Sequence, residues 1–177
     1  MSGVVSNAGP LIALGKLNLL HLLRDLYCNV YIPKMVYEEV VVNGTRVGCI
    51  DAFRARLLIG DVLIVKEASP ASTVVFDDIG IDEGEIETIE LSIALDADLV
   101  LIDDWHARIE ARNHGLHVLG TLGILYSAYK TELINFREFE AAIKEIMHRG
   151  DIWISNDLCG KVLDAAGESN PNHGMIK

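Results

Sequence analysis

Two adjacent carboxylates, Asp103 and Asp104, directly follow an apolar run at residues 99–102. A continuous apolar run of this length is typical of a strand buried on both faces, which predicts both acids at its carboxyl end. Ligands of open α/β sheets bind beyond the carboxyl ends of the strands. One Asp here could simply cap the helix predicted from Trp105, whereas a pair also offers oxygen ligands to a metal ion.

Further oxygen-bearing side chains follow other predicted elements. Glu85 opens a helix whose start, with Asp82 three residues earlier, has the spacing of a capping box. Asn7 follows the first predicted strand, and Glu39 lies on an early helix. Oxygen-only ligands suit Mg²⁺ or Mn²⁺, and such ions activate water and stabilise the charge of a phosphoryl displacement.

The elements that must position these residues are short strands alternating with helices. Strands are predicted near residues 4–5, 30–32, 62–65, 99–102 and 116–119. The alternation implies parallel pairing and right-handed crossovers, hence a three-layer α/β/α sandwich around a parallel sheet of about five strands. We expect residues 1–150 to form this domain and residues 151–177 to add a C-terminal helix and a polar tail to it.

Local signals set the expected boundaries of several helices. An early helix is predicted from Pro33 to a stop at Asn43 and Gly44. Residues 66–80 are predicted to form an irregular loop, with a short extended piece at 74–76. The predicted helix N-caps outside the acidic stretch are Asn18, Thr121, Asn135 and Ser155.

Composition limits the classes of function. The chain has 177 residues, half of them apolar, and a formal net charge of -11, which argues against a large surface that coats nucleic acid. A small nuclease site remains compatible, because clustered metal ligands are themselves acidic. We expect a cytoplasmic protein without membrane contact. The three cysteines are scattered, no apolar stretch is long enough to span a membrane, and the sequence has no signal peptide.

In this order along the chain, five segments resemble the PIN-domain superfamily, nucleases that include VapC-type toxins. The resemblance is closest to a prokaryotic branch of predicted nucleic-acid-binding proteins. The segments are V-V-S-N-A-G-P-L-I-A-L at 4–14, Y-I-P-K-M-V-Y-E-E-V at 31–40, D-E-G-E-I-E-T-I-E-L at 82–91, L-V-L-I-D-D-W-H-A-R at 99–108 and G-T-L-G-I-L at 120–125.

The resemblance implies an endoribonuclease that uses Mg²⁺ or Mn²⁺, as the toxin of a toxin–antitoxin pair. Its partners would be RNA, a small antitoxin protein and a second copy in a homodimer. The metal ligands it implies are Glu39, Glu85, Asp103 and Asp104. Glu38 is the rival of Glu39, which is preferred because it directly precedes an aliphatic residue, as the family's acid does. Asn7 stands where the family usually has Asp, so the site has one charge fewer.

Two residues are candidates for contact with a substrate phosphate. Arg108 lies one helical turn before Arg112, and the pair could form a solvated helix face, a phosphate clamp or a counter-ion for the acids. Thr121 begins a helix whose free N–H groups could hold a phosphate, although capping that helix is its simpler role.

The aromatic and imidazole side chains near the acids have plain structural alternatives. Trp105 could stack on a nucleobase or pack its helix. His106 could approach substrate or remain a surface residue. His114 and His117 are residue types that often bind a metal as a pair, but a glycine turn at Gly115 separates the two and they lie at the entry to a predicted strand, which favours a structural role.

Two alternatives to the nuclease remain open. One is a PIN-like module that binds nucleic acid or protein and has lost catalysis through the change at Asn7. The other is a metal-dependent phosphatase, which is disfavoured because no D-x-D motif follows the first strand.

Overall fold

The computed structural model describes residues 3–67, 76 and 80–168. They form two packing units, one ending at Thr121 and the other beginning at Leu122. The predicted grouping of residues 1–150 with 151–177 stays a prediction.

The first unit is built on a five-stranded, all-parallel sheet, which confirms the α/β sandwich predicted from the alternation of strands and helices. The strand order is β3-β2-β1-β4-β5. The strands are β1 (Val4–Ser6), β2 (Val30–Pro33), β3 (Leu63–Lys66), β4 (Leu99–Leu101) and β5 (Val118–Leu119).

Helices connect the strands and supply the core around the sheet. They are α1 (Ala8–Lys16), α2 (His21–Tyr27), α3 (Lys34–Tyr37), α4 (Gly44–Arg46), α5 (Ile50–Arg56), α6 (Glu83–Ala94), α7 (Trp105–Asn113) and the start of α8 (Thr121–Lys130). A core cluster joins α6 and α7 to β4 through the buried side chains of Ile89, Val100, Ile102, Ala107 and Ala111. Burial of this apolar surface fixes the two helices at whose N-terminal ends the acids lie.

The helix boundaries predicted at Asn18 and Gly44 are wrong. Asn18 does not cap the second helix: it adopts a left-handed conformation with φ 60° after α1, and α2 begins later without a side-chain cap. Asn tolerates this conformation better than most residues. Gly44 does not stop a helix, because its φ of -58° is helical and a π-helical segment, Glu38–Asn43, runs directly into α4. A Cβ at Gly44 would lie 2.7 Å from Ala52 Cβ, so glycine here allows α5 to approach closely.

Most of the loop predicted at residues 66–80, including all but Phe76 of the extended piece at 74–76, lies outside the described residues. The same is true of the polar tail after Glu168. In the described part of the chain, no helix combines the length and apolar character needed to cross a bilayer.

The second unit contains the remainder of α8, α9 (Phe136–His148) and α10 (Asn156–Glu168). The predicted caps at Asn135 and Ser155 are both present, the first in a complete capping box with Glu138. Three aromatic rings pack around the fully buried Phe139, which stacks on Tyr129 with 5.3 Å between ring centroids; the other two belong to Tyr126 and Phe136. Such contacts add stabilisation beyond the buried area.

Candidate functional site

The candidate site lies where the direction of the sheet order changes. β1 pairs with β2 on one side and with β4 on the other. The chain therefore builds the sheet from β1 toward one edge, through β2 and β3, and then continues through β4 and β5 on the opposite side of β1. Crevices at such positions are the usual ligand sites of open α/β sheets. The N–H of Asn7 donates to the carbonyl of Leu101 at 2.9 Å, which places Asn7 beside the end of β4.

Asn7 has a defined structural role at this point. It is the N-cap of α1, and its Oδ1 accepts the N–H of Ala8 at 2.7 Å. The residue is 7% exposed. The amide oxygen therefore satisfies a helix N–H group, and a role as metal ligand would use its second lone pair.

Glu85 is held by the capping box that the sequence predicted. Its Oε2 accepts the N–H of Asp82 at 2.9 Å, and Asp82 Oδ1 accepts the N–H of Glu85 at 2.8 Å. Glu85 is only 7% exposed. The reciprocal bonds fix a buried carboxylate at the first turn of α6.

Four carboxylates at the carboxyl end of the sheet interact electrostatically. Burial, together with the negative charges of Asp82, Asp104 and Glu39, raises the pKa of Glu85 to about 7, although the hydrogen bond with the Asp82 backbone lowers it. Partial burial and the charge of Asp82 also raise the pKa of Glu39. Asp82, singled out in the sequence only as a cap, thus belongs to the acidic group, and its position at a helix start beside Glu85 was the available signal.

Glu38 and Glu39 both lie in the first turn of the π-helical segment and are exposed. Glu39 Oε2 lies 3.8 Å from the point where a Cβ at Gly84 would stand, which brings it to the start of α6. This position favours Glu39 as the member of the acidic group, and the choice between the two as ligand stays a prediction.

The adjacent acids after β4 face different partners. Asp103 Oδ1 accepts the N–H of Thr121 at 2.7 Å, and its Oδ2 accepts the Thr121 hydroxyl at 2.6 Å. A Cβ at Gly120 would lie 2.7 Å from Asp103 Oδ1, so this contact requires glycine there. Asp104, which is exposed, caps α7 by accepting the N–H of Ala107 at 2.9 Å and contributes to the field at Glu85.

Thr121 is therefore not the cap of its own helix, as the sequence suggested, because it is the first residue of α8 and donates both its N–H and its hydroxyl to Asp103. Burial raises the pKa of Asp103, while these hydrogen bonds and the nearby charge of Arg108 oppose the rise. Arg108 also donates to the carbonyl of Ile102 at 3.1 Å. The guanidinium thus has the position expected of a counter-ion, and its contact with substrate stays a prediction.

The side chains at the start of α7 point to solvent. Trp105 is 64% exposed, so it does not serve mainly to pack its helix, and His106 is exposed as well. Farther along α7, His114 Nε2 lies 3.1 Å from Oε1 of the buried Glu110, which gives that histidine a structural partner.

The acidic group is not a ready-made cage for a metal. Within the described ranges, no three His, Cys, Asp or Glu side chains are arranged to hold an ion. The donor set nevertheless fits a hard divalent cation, since every candidate atom is an oxygen. Bound positive charge would also relieve the repulsion among the carboxylates, which adds to the effect of burial on the pKa of Glu85.

The raised pKa of Glu85 predicts how stability depends on pH in the absence of divalent cations. Between the ordinary value of 4.5 and about 7, the folded chain keeps a proton that the unfolded chain has released. The contribution of Glu85 to the free energy of unfolding is therefore fully present below pH 4.5 and is lost as the pH rises through about 7. We expect the free energy of unfolding of Glu85→Gln to exceed that of the wild type more at pH 8 than at pH 5.

The measurement is chemical denaturation in EDTA at both pH values. Gln keeps an oxygen that can accept the Asp82 N–H, and Glu138→Gln makes the same change in the exposed capping box of α9. A wild type and a Glu85→Gln variant with parallel pH profiles would contradict the prediction.

Comparison with models of protein families gives a match over most of the chain. Residues 3–168, nearly the whole chain, match the family model DUF3368, described as a PIN domain. No curated protein and no solved structure matches the chain significantly.

Proposed function

Because the chain belongs to the PIN-domain family, we propose that it is an endoribonuclease that requires Mg²⁺ or Mn²⁺. PIN domains are generally nucleases and typically use divalent metals. The observation that carries the proposal is the coupling of Glu39, Glu85 and Asp104 in one acidic group at the carboxyl end of the sheet.

In this proposal Glu39, Glu85, Asp103 and Asp104 hold the metal, and Asn7 adds a neutral oxygen or positions water. A bound ion would supply an activated water and stabilise the charge that develops on the phosphate. Asp103 accepts two hydrogen bonds from Thr121, so it also fixes the end of β4, from which Asp104 follows.

Two residues are proposed to serve the substrate. Arg108 contacts a phosphate through N–H groups that are not committed to Ile102. Thr121 acts through Asp103, because both of its donors are directed to that carboxylate.

The proposal is tested by incubating the protein with a mixed set of RNAs in Mn²⁺ and in EDTA. We expect cleavage in Mn²⁺ only, and its loss in Asp104→Ser, because Ser can still cap α7 but carries no charge. Cleavage that survives both EDTA and Asp104→Ser would contradict the assignment.

A second candidate is a PIN-like module that binds RNA or protein without cutting. Two observations favour it: the described residues form no ready metal cage, and Asn7 supplies no charge. RNA binding without cleavage in Mn²⁺ or Mg²⁺ would identify this second function.

We also propose that the protein is a cytoplasmic toxin that forms a homodimer and is held by a small antitoxin. A net charge of -11 favours a partner with basic residues, because complementary fields steer association. Purification at low salt is expected to recover a small basic protein together with the chain. Salt at about 1 M should weaken the association of the two proteins, because it screens their charges. Recovery of the chain alone under gentle conditions would count against the proposal that the protein is a toxin. The molecular mass of the purified species tests whether it forms a homodimer.

A further inference from the structure

Trp105 is a large apolar side chain left in water beside the acidic group. It is the first residue of α7, directly after Asp104, and is 64% exposed. None of the ring contacts among the described residues involves it. An exposed indole gives up the favourable free energy of burial, which a bound ligand can restore.

The charge of the molecule sets a condition on how RNA could bind here. Phosphate contacts draw their affinity from Lys and Arg, whereas this chain has a net charge of -11 and an acidic group at the site. The nearby Arg108 already donates to Ile102 and lies beside Asp103. Binding energy that does not depend on positive charge is therefore needed, and stacking of bases on aromatic rings provides it.

We propose that Trp105 is a substrate-positioning residue, whose indole stacks on an unpaired base next to the phosphate at the acidic group. The inference rests on the proposed ribonuclease function. Bases within a duplex are already stacked on their neighbours, whereas bases in single strands and loops can be splayed onto an aromatic side chain. Stacking is tolerant of sequence, so the contact with Trp105 requires an unpaired base but not a particular one.

The chain offers a matched control for this proposal. It contains two tryptophans, and the second, Trp153, is 93% exposed and lies in the other unit. The variants Trp153→Phe and Trp105→Phe each leave one indole as the fluorescent reporter. Each is titrated in Ca²⁺ with a single-stranded RNA and with a duplex that contains the same strand.

We expect single-stranded RNA to quench the emission of Trp105 and not that of Trp153, and the duplex to quench neither. Trp105→Leu is expected to weaken single-strand binding about 10-fold, while Trp153→Leu leaves it unchanged. Because stacking carries no charge, the salt dependence of binding should be the same in all variants.

Unchanged Trp105 emission at saturating RNA, equal quenching by the duplex, or unchanged affinity of Trp105→Leu would overturn the proposal. A wild type that binds no RNA would overturn it together with the ribonuclease function. Cleavage without Trp105 quenching removes only the stacking role, whereas quenching without cleavage removes only the nuclease.

Discussion

Replacing Glu85 by Gln is expected to slow RNA cleavage by at least about 100-fold at saturating Mn²⁺. Glu85 is the buried member of the acidic group and the residue on which the charges of Asp82, Asp104 and Glu39 converge. Gln has nearly the same shape and can accept the Asp82 N–H, so the change removes charge while preserving the start of α6. A loss of this size would therefore report chemistry and not folding.

The test compares cleavage rates with thermal unfolding of the same samples. Glu138→Gln, the equivalent change in the exposed capping box of α9, should cleave like the wild type. Glu39→Gln should reproduce the loss and Glu38→Gln should not, which decides between the two neighbouring acids. A Glu85→Gln enzyme within about threefold of the wild-type rate would exclude Glu85 from the reaction.

The parts of the structure that were predicted correctly depend on short stretches of sequence. The run Leu99–Leu101 reads as a buried strand from its own residues, and the capping box of Asp82 and Glu85 needs only its three-residue spacing. The alternation of such strands with helices also predicted the parallel sheet, because strands that are connected through a helix usually pair in parallel. Placement of Asp103 and Asp104 after β4 followed directly.

The features that were missed depend on residues far apart in sequence or on unusual backbone. Thr121 was expected to cap its own helix, but its hydroxyl donates to Asp103, 18 residues earlier. No local pattern predicts the π-helical segment that carries Glu38 and Glu39, since it adds a residue to the turn and changes which side chain faces the site. Gly44 was predicted to stop a helix because glycine is common there. The structure instead requires glycine at this position because it packs closely against Ala52.

Asn7→Asp is expected to strengthen Mn²⁺ binding about 10-fold or more and to raise the rate of RNA cleavage by about 100-fold. Affinity in oxygen sites grows with the number of charged ligands, and the new carboxylate could also take a proton from the attacking water. Asp caps helices as well as Asn does, so the bond to the Ala8 N–H is retained and the charge at the start of α1 is favourable.

The position of Asn7 makes this a test of charge at the site. Its N–H is bonded to Leu101 at the end of β4, and a Cβ at Gly9, in the first turn of α1, would lie 3.3 Å from Asp103 Cβ. Asn7→Ser keeps a capping oxygen without charge, whereas Asn7→Ala loses the cap, at a cost of about 1 kcal/mol in stability. In EDTA, Asn7→Asp should be less stable than the wild type, because it adds a negative charge to a repulsive group.

Titration calorimetry with Mn²⁺ and cleavage rates of the four proteins distinguish the possible roles. If the Asn7 amide oxygen is a ligand, Asn7→Ala should bind Mn²⁺ and cleave more weakly than the wild type, and Asn7→Asp should exceed it in both. If Asn7→Asp and Asn7→Ala both match the wild type, Asn7 is only the cap of α1. A wild type that cuts nothing, beside an Asn7→Asp variant that cuts, would instead identify a PIN domain in which one neutral residue has silenced an otherwise competent acidic group.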